Sequence, residues 1–289
     1  MIKVGYLISY DYKMIFTSMA LLYKYADEIH LAIDKKRLTW SGNSFELPDS
    51  FFEEIERFDT ENKIKLYFDD FYKQNLTPIE CDTRERTMLA KKMGKGWLLQ
   101  IDVDEYIYDF EQLAKYLRKK WYLLLFPKWT PVVFRANWIT LYKQLNDGFL
   151  FIKNNETFPL LTNIPSYEYC RENTKLTNYQ TNLQVIHQSW ARSEEEVETK
   201  LKNWSHRKDF NTADYLVFWR SLTSENYRSF KDFHPVYPKD WNKLHFVEAN
   251  NIEAFIIEYA KKNKQVLIEF PIKILVKKLA RKVLKKLRW

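Results

Sequence analysis

The sequence predicts an α/β fold with a mostly parallel central sheet and helices on both faces. Strand alternates with helix over the first hundred residues, and acidic or polar residues follow several of the predicted strands. Such alternation is typical of parallel sheets, because each parallel strand needs a crossover connection to the next. Ligands of these sheets bind beside the carboxyl ends of the strands, so the sequence predicts a site at that edge.

The individual elements follow from hydrophobic periodicity and from start and stop signals. Strands are predicted at residues 4–9, 28–33, 63–68 and 97–103, and helices at 13–25, 49–58, 80–93 and 110–120. Pro48 precedes the second helix and Gly94 follows the third, as expected for a helix start and a helix end. These elements make up the predicted α/β layer.

The pattern becomes richer in β-strand after residue 120. The runs PVVFRANWITLY and GFLFIK flank an Asn-Asp-Gly turn at 146–148, which predicts a hairpin added to the sheet. A further strand is predicted at 185–190, and Ser193 with Glu196 forms a capping box that opens a helix through Trp204. With no internal repeat and no linker, we predict one domain over residues 1–265.

Composition excludes several classes of enzyme. The 289 residues include five glycines and contain no GxGxxG, GxxxxGK[ST], HExxH or GxSxG pattern, so dinucleotide-binding, P-loop, zincin and α/β-hydrolase sites are not supported. Cys81 and Cys170 form no CxxC pair, which favours a reducing compartment. The first apolar run is too short for a signal peptide or a membrane span, so we expect a cytoplasmic protein.

The stretch LLQIDVDEYI, residues 98–107, is an apolar strand that ends in acids. Alternate side chains of a strand share a face, so Asp102 and Asp104 point the same way. Two carboxylates this close repel each other unless a cation lies near them, and oxygen ligands suit Mg²⁺ or Mn²⁺. The alternative for an isolated DxD is a strand that ends in a solvated acidic turn.

Two blocks together resemble the GT-A glycosyltransferases, family 2 in particular. The first is the helix bearing Arg84 and Arg86, a Lys-Gly-Trp turn and the strand LLQIDVDEY. The second, VIHQSWARSEEEVETKLKNWSHRKDF, is similar to the histidine-bearing segment of bacterial members. The resemblance covers about residues 1–210 and implies the GT-A fold.

The resemblance also implies roles for these residues. Asp102 would contact the ribose of a sugar nucleotide or a metal-bound water, and Asp104 would bind the metal. His187 would approach the metal or the diphosphate, with a hydrogen-bonded core histidine as the alternative. The remaining donor-binding candidates are Ser9, Tyr10 and Asp34 around the base and either Arg84 or Arg86 at the diphosphate.

The residues that act on the acceptor are less well defined. An acceptor hydroxyl must lose its proton, usually to a carboxylate. We prefer Glu168 to Glu156 and Glu172 as this base, and a surface position is the alternative for each. Arg192 and His206 are further candidates for binding the acceptor or the diphosphate.

The C-terminal residues 266–289 form a separate predicted unit. Eight cations and no acid occur between residues 271 and 289, which equals the net charge of +8 and leaves the rest of the chain neutral. An apolar stripe at helical spacing accompanies them, as in amphipathic helices that lie on anionic membranes. A helix docked on the body is the alternative; nucleic-acid binding is disfavoured, since no reading motif occurs.

Taken together, these features predict a glycosyltransferase that depends on Mn²⁺ or Mg²⁺ and uses a UDP- or GDP-sugar. The acceptor would be a glycan or a lipid-linked glycan of a bacterial surface polysaccharide, at the inner face of the plasma membrane. Inversion is the family expectation. The alternatives are a non-catalytic, membrane-bound sugar-binding scaffold and a metal-dependent nucleotidyltransferase, against which the lack of a glycine-rich loop near the N-terminus counts.

Overall fold

The computed structural model describes residues 1–203, 209–273 and 276. Its strands are β1 (Ile2–Ile8), β2 (Glu28–Asp34), β3 (Ile64–Asp69), β4 (Trp97–Asp102), β5 (Glu105–Tyr106), β6 (Val132–Gln144), β7 (Gly148–Thr162), β8 (Thr177–His187) and β9 (His245–Glu248). Its α-helices are α1 (Ile15–Leu22), α2 (Asp49–Phe58), α3 (Pro78–Met93), α4 (Phe110–Lys119), α5 (Glu194–Asn203), α6 (Thr212–Ser221) and α7 (Ile252–Lys262).

The strands form one mixed sheet in the order β3-β2-β1-β4-β7-β6-β8-β5, with β9 paired to β7. The pairs β1–β2, β2–β3, β1–β4 and β6–β8 are parallel. The pairs β4–β7, β6–β7, β5–β8 and β7–β9 are antiparallel. The prediction of a mostly parallel sheet is therefore wrong beyond β4. The reason is the β6–β7 hairpin, whose second strand joins the edge of β4 in the opposite direction.

Helices cover both faces of the parallel part of the sheet. Alternate residues of β1, among them Val4 and Tyr6, share a core with apolar residues of α1, α2 and α4. Leu7 faces the other way and packs with Leu89 and Met93 of α3. Since β1 lies between β2 and β4, the chain changes direction across the sheet at the β1–β4 boundary, where ligands of open α/β sheets bind.

Gly5 allows α3 to approach β1 closely. A Cβ at this position would lie 2.8 Å from Leu89 Cδ2 and 2.9 Å from Met93 Sδ. We expect Gly5→Ala to lower the free energy of unfolding by about 1–3 kcal/mol through overpacking, as measured by urea denaturation. Adding Leu89→Ala should cost less in the Gly5→Ala background than in the wild type, because the space is shared. Additive losses would contradict this contact.

The predicted hairpin and capping box are present, whereas other elements differ from the predictions. The main-chain N–H of Ser193 donates to Glu196 Oε2 at 2.9 Å, and the N–H of Glu196 donates to Ser193 Oγ at 3.3 Å. Strand β8 begins eight residues before the predicted strand and ends at His187. The short strands β5 and β9 were not predicted, because each depends on a partner strand that is distant in sequence.

The described residues from the predicted domain boundary at residue 265 onward pack against the rest of the chain, along β8. The side chain of Gln265 exchanges hydrogen bonds with the main chain of Gln184, and Phe270 is buried in the core beside α4 and β6. Residues 274–275 and 277–289, which carry most of the predicted amphipathic helix, lie outside the described residues. Among the described helices, none has the length and apolar character needed to cross a membrane.

Candidate functional site

A pocket of about 860 Å³ opens at the carboxyl ends of β1, β2 and β4. It crosses the β1–β4 boundary and continues along β6, β7 and β8 toward the segment 234–241. One end is rich in charged side chains. The other end, toward the segment 234–241, is lined by aromatic residues, which include Tyr237 and Trp241. Pockets of this volume accommodate ligands the size of a nucleotide or a short glycan.

Asp104 lies at the floor of the pocket, where its carboxylate faces Arg192, Lys200 and His187. Its Oδ2 accepts a hydrogen bond from Arg192 Nη2 at 2.5 Å and lies 3.5 Å from His187 Nε2 and 3.7 Å from Lys200 Nζ. Burial alone would raise the pKa of Asp104, but His187 and Arg192 together hold it well below its ordinary value. Asp104 is therefore ionised.

The HQSWAR segment places these cations through local hydrogen bonds. His187 is the last residue of β8 and pairs in register with Glu105 of β5. The next residue, Gln188, donates from its main chain to the carbonyl of Asp104 and receives a side-chain bond from Tyr106. Arg192 then donates back to the carbonyl of Gln188, so the turn fixes its guanidinium beside Asp104.

Arg192 also joins Asp104 to a second acid, Asp11. The distance from Arg192 Nη1 to Asp11 Oδ2 is 3.1 Å. Burial raises the pKa of Asp11 above its ordinary value, with Arg192 opposing this effect. Asp11 follows β1 and Asp104 follows β4, so this one guanidinium bridges the two strands at the point where the sheet changes direction.

Asp102 belongs to a separate network. Its Oδ1 accepts from Arg86 Nη2 at 2.8 Å, and its Oδ2 lies 3.6 Å from Arg171 Nη2. Arg86 also donates to Asp82 at 2.6 Å. The Asp102 side chain keeps 32% of its surface exposed, far more than Asp104 at 5%. Of the two acids of the DxD, Asp102 is the one open to a ligand.

Glu105, the third acid of the DVDE run, holds neighbouring residues of the site in place. It is fully buried and receives two hydrogen bonds from Arg171, each of 2.7 Å. The Trp138 indole and the main-chain N–H of Asp102 also donate to it, each at 3.0 Å. Glu105 therefore orients the end of β4 and the guanidinium of Arg171.

Asp34 lines the pocket, but its carboxylate is engaged by main chain. Oδ1 accepts from the N–H groups of Lys36 and Leu38, and Oδ2 accepts from those of Phe71 and Tyr72. These bonds tie the loops after β2 and β3 together. The predicted contact of Asp34 with a nucleotide base would have to share these oxygens, so the structure favours a scaffolding role.

Of the other predicted donor-binding residues, three line the pocket and one does not. Ser9 and Tyr10 line the pocket, and burial raises the pKa of Tyr10. Arg86 faces the pocket, whereas Arg84 donates to the carbonyl of Asp70 at 3.4 Å and is not part of the lining. Of the pair that the sequence left open, Arg86 is therefore the one that lines the pocket.

Glu168, the predicted base, is not among the pocket-lining residues. It pairs with Lys175 and accepts hydrogen bonds from Thr174. Glu172 lines the pocket but is held by Arg135 at 2.7 and 2.8 Å. Glu156 also lines the pocket, is partly exposed, and has no ion-pair partner among the described residues. His206 lies outside the described residues.

Sequence reasoning placed Asp11 at the ligand-binding edge but assigned no role to several other pocket residues, chiefly Glu85, Arg171 and Lys200. Lys200 had a usable signal, because helical spacing places it on the same face of α5 as the buried Val197 and Leu201. Burial lowers the pKa of Lys200 to about 8. Arg171 had no such signal, because it follows an irregular loop.

The described side chains can bind a divalent cation in this pocket only if a substrate supplies further coordinating atoms. Asp104 Oδ2 and His187 Nε2 are 3.5 Å apart, which is close enough for both to bind one ion. No group of three His, Cys, Asp or Glu side chains suited to a metal occurs within residues 1–203, 209–273 and 276. Phosphate oxygens of a substrate would have to complete the coordination, as Mg²⁺ sites commonly use them.

Comparison with known proteins identifies no family. No protein-family model and no curated protein match the chain. Among solved structures, HddC from Yersinia pseudotuberculosis has a TM-score of 0.35 and 9% identity, over 65% of this chain and 93% of that one. The same protein complexed with GMP-PN has a TM-score of 0.33 and 10% identity over the same shares. Mannose-6-phosphate isomerase from Helicobacter pylori has a TM-score of 0.29 and 17% identity, over 53% of this chain and 55% of that one. TM-scores of this size do not identify a shared fold, so the chain is described as a mixed α/β protein with a charged pocket at the carboxyl ends of its parallel strands.

Proposed function

We propose that the protein is a glycosyltransferase of the GT-A type that uses a nucleoside-diphosphate sugar as donor. The main support is the placement of Asp102 and Asp104 at the end of β4, each within its own group of cations, on the floor of one large pocket. This placement agrees with the sequence resemblance to family 2. The aromatic end of the same pocket offers space for an acceptor.

The cations supply the charge that glycosyl transfer requires. When the bond from the anomeric carbon to the diphosphate breaks, its electron pair leaves with the diphosphate, where negative charge builds up. Preorganised donors around a leaving group stabilise such charge, and removing one typically costs a factor of about 10²–10³. Arg86, Arg192 and Lys200 line the pocket and would be the donors around the diphosphate.

We propose that Mn²⁺ or Mg²⁺ binds between Asp104, His187 and the donor diphosphate. A bound ion would add Lewis-acid stabilisation of the leaving diphosphate. Arg192 fixes the Asp104 carboxylate through a hydrogen bond to the same Oδ2 and is itself paired with Asp11. Asp102 remains available for hydroxyl groups of the donor.

We propose Glu156 rather than Glu168 as the base that accepts the proton of the acceptor hydroxyl. Glu156 lies on β7 in the aromatic half of the pocket, where the Trp241 indole approaches its Oε2 at 3.5 Å. The Tyr237 ring, which is exposed and lines the same pocket, suits the apolar face of a sugar ring. A glycan acceptor is therefore the proposed second substrate.

Nucleotidyl transfer is the second candidate function, because the same cations would neutralise a nucleoside triphosphate and a sugar phosphate. The loop after β1 bears on this point. It reads SYDYK and contains no glycine, so no glycine-rich turn is present there to bring main-chain N–H groups to a triphosphate.

The products distinguish the two reactions. We expect the protein, given UDP- or GDP-sugars with Mn²⁺, to release nucleoside diphosphate through transfer to an acceptor or to water. Release of pyrophosphate from a nucleoside triphosphate and a sugar phosphate would favour the nucleotidyltransferase. If nucleoside diphosphates, nucleotide sugars and pyrophosphate all fail to bind, the enzyme proposal is wrong and a scaffold protein is the better account.

The choice of base is tested by a matched pair of variants. We expect Glu156→Gln to lower the rate of diphosphate release by about 10²–10⁴-fold with little change in donor affinity, because general bases contribute rate enhancements of this size. Glu168→Gln should behave as the wild type. A slow Glu168→Gln and a normal Glu156→Gln would restore the original prediction.

A lipid-linked acceptor at an anionic membrane surface remains a proposal that rests on the sequence of residues 266–289. The cationic residues of this segment would contribute about 1 kcal/mol each near such a surface. Location at the inner face of the plasma membrane is part of the same proposal.

A further inference from the structure

The β2 end of the pocket has a chemistry distinct from that of its floor. Leu7, Leu38 and Trp40 provide apolar walls there, and Glu85 of α3 reaches the same space. Glu85 is only 6% exposed. The Trp40 ring, with Leu7 and Leu38, suits a planar aromatic ligand, and the Arg86 guanidinium lies 5.9 Å from the centre of that ring, where it can reach the phosphates of the same ligand.

Among the described residues, no ion-pair partner faces the buried carboxyl group of Glu85. Its Oε2 accepts a hydrogen bond from Trp40 Nε1 at 2.6 Å. Among the described cations, Arg86 has the largest electrostatic effect on Glu85, and that guanidinium is bonded to Asp82 and Asp102 instead. The other charged groups facing Glu85 are acids, Asp82 on its own helix and Asp34 at the end of β2.

These surroundings keep Glu85 protonated near neutral pH. Burial is the main cause, and Asp82 adds to it, so that the pKa of Glu85 rises from 4.5 to about 8. With Oε2 accepting from Trp40, the second oxygen can carry the proton. The pocket therefore presents an O–H donor among apolar walls, a feature that the proposed mechanism does not use.

We propose that Glu85 is a specificity residue that donates a hydrogen bond to a carbonyl oxygen of the nucleobase of the donor. This inference rests on the proposed function and deepens it. Uracil and guanine carry a carbonyl oxygen on the edge opposite the sugar, whereas adenine has no carbonyl group. The pocket should therefore select UDP or GDP over ADP.

Calorimetric titration with UDP, GDP and ADP in the presence of Mg²⁺ tests this selection. At pH 6.5 we expect UDP or GDP to bind the wild type at least tenfold more tightly than ADP, since adenine places an amino group, itself a donor, where uracil and guanine place the carbonyl oxygen that would pair with Glu85. Glu85→Ala should reduce this preference. ADP binding as tight as that of both UDP and GDP would overturn the proposal.

The pH dependence gives a second test with a conservative variant. As pH rises from 6.5 to 9, Glu85 ionises, loses its donor and repels the carbonyl, so wild-type affinity for UDP or GDP should fall by about tenfold or more. Glu85→Gln keeps a donor that does not ionise and should remove this fall. Equal pH dependence in both proteins would overturn the proposal.

Lys200 titrates in the same pH range, and pyrophosphate serves as the control for it. Pyrophosphate has no base, so the fall in its affinity between pH 6.5 and 9 measures the effect of Lys200 and other phosphate-binding groups. The nucleoside diphosphate should show a larger fall than pyrophosphate in the wild type only. Failure of all these ligands to bind would overturn the proposed function and this inference with it, whereas binding without dependence on Glu85 would overturn this inference alone.

Thermal unfolding supplies a readout that needs no ligand. A carboxyl whose pKa is raised in the fold destabilises the protein as pH rises from 4.5 toward 8, because the unfolded chain releases the proton first. We expect Glu85→Gln to unfold at a higher temperature than the wild type at pH 8 and to show a smaller difference at pH 5. A variant less stable at both pH values would contradict a protonated Glu85.

Discussion

Arg171→Met is expected to lower the free energy of unfolding by about 3–5 kcal/mol, the range found when a buried ion pair loses one partner. Arg171 makes both of its 2.7 Å bonds to Glu105, a fully buried carboxylate. Without the guanidinium, the donors left to it among the described residues would be the Trp138 indole and the main-chain N–H of Asp102. Urea denaturation followed by circular dichroism measures the loss.

Two further variants serve as controls, one at an exposed ion pair and one that combines two substitutions. Arg220→Met removes an exposed partner of Glu194 and Glu198 and should cost less than about 1 kcal/mol. Adding Glu105→Gln to Arg171→Met should recover part of the loss, because it removes the unpaired charge. If the double variant is less stable than Arg171→Met, unpaired charge is not the cause.

Asp104→Asn is expected to lower Mn²⁺-dependent donor binding by about 100-fold or more and to reduce transfer in proportion. The amide keeps the size of the side chain but removes the charge that His187, Arg192 and Lys200 surround. A neutral ligand binds a hard divalent cation poorly. Calorimetric titration with UDP and GDP, with and without Mn²⁺, measures the effect.

Asp147→Asn is the matched control, because Asp147 is an exposed acid in the β6–β7 turn. It should bind nucleoside diphosphates as the wild type does. If Asp104→Asn retains full Mn²⁺-dependent affinity, the proposed metal position is wrong. Unchanged wild-type affinity in the presence of a chelator would instead show that the side-chain cations alone hold the diphosphate.

The sequence predicted well what depends on neighbouring residues. The period of the apolar residues located β1 to β4 and the helices between them, and the Asn-Asp-Gly turn located the hairpin. The DxD was placed correctly at the end of β4, because a buried strand cannot contain unpaired carboxylates and they must follow it. The sequence could not predict whether Arg84 or Arg86 lines the pocket, because both lie on one helix and only packing decides which side chain faces it.

The sequence by itself determined an α/β protein whose acids lie at the carboxyl ends of its strands. The tertiary structure decided that the sheet is mixed, that Glu105 is a support for Arg171, that Asp34 binds main-chain amides and that Glu156 rather than Glu168 lines the pocket. It also brought Glu85 beside Trp40 and Lys200 beside Asp104. The physical reason is that burial and charge pairing depend on residues far apart in the chain, which only the folded structure brings into contact.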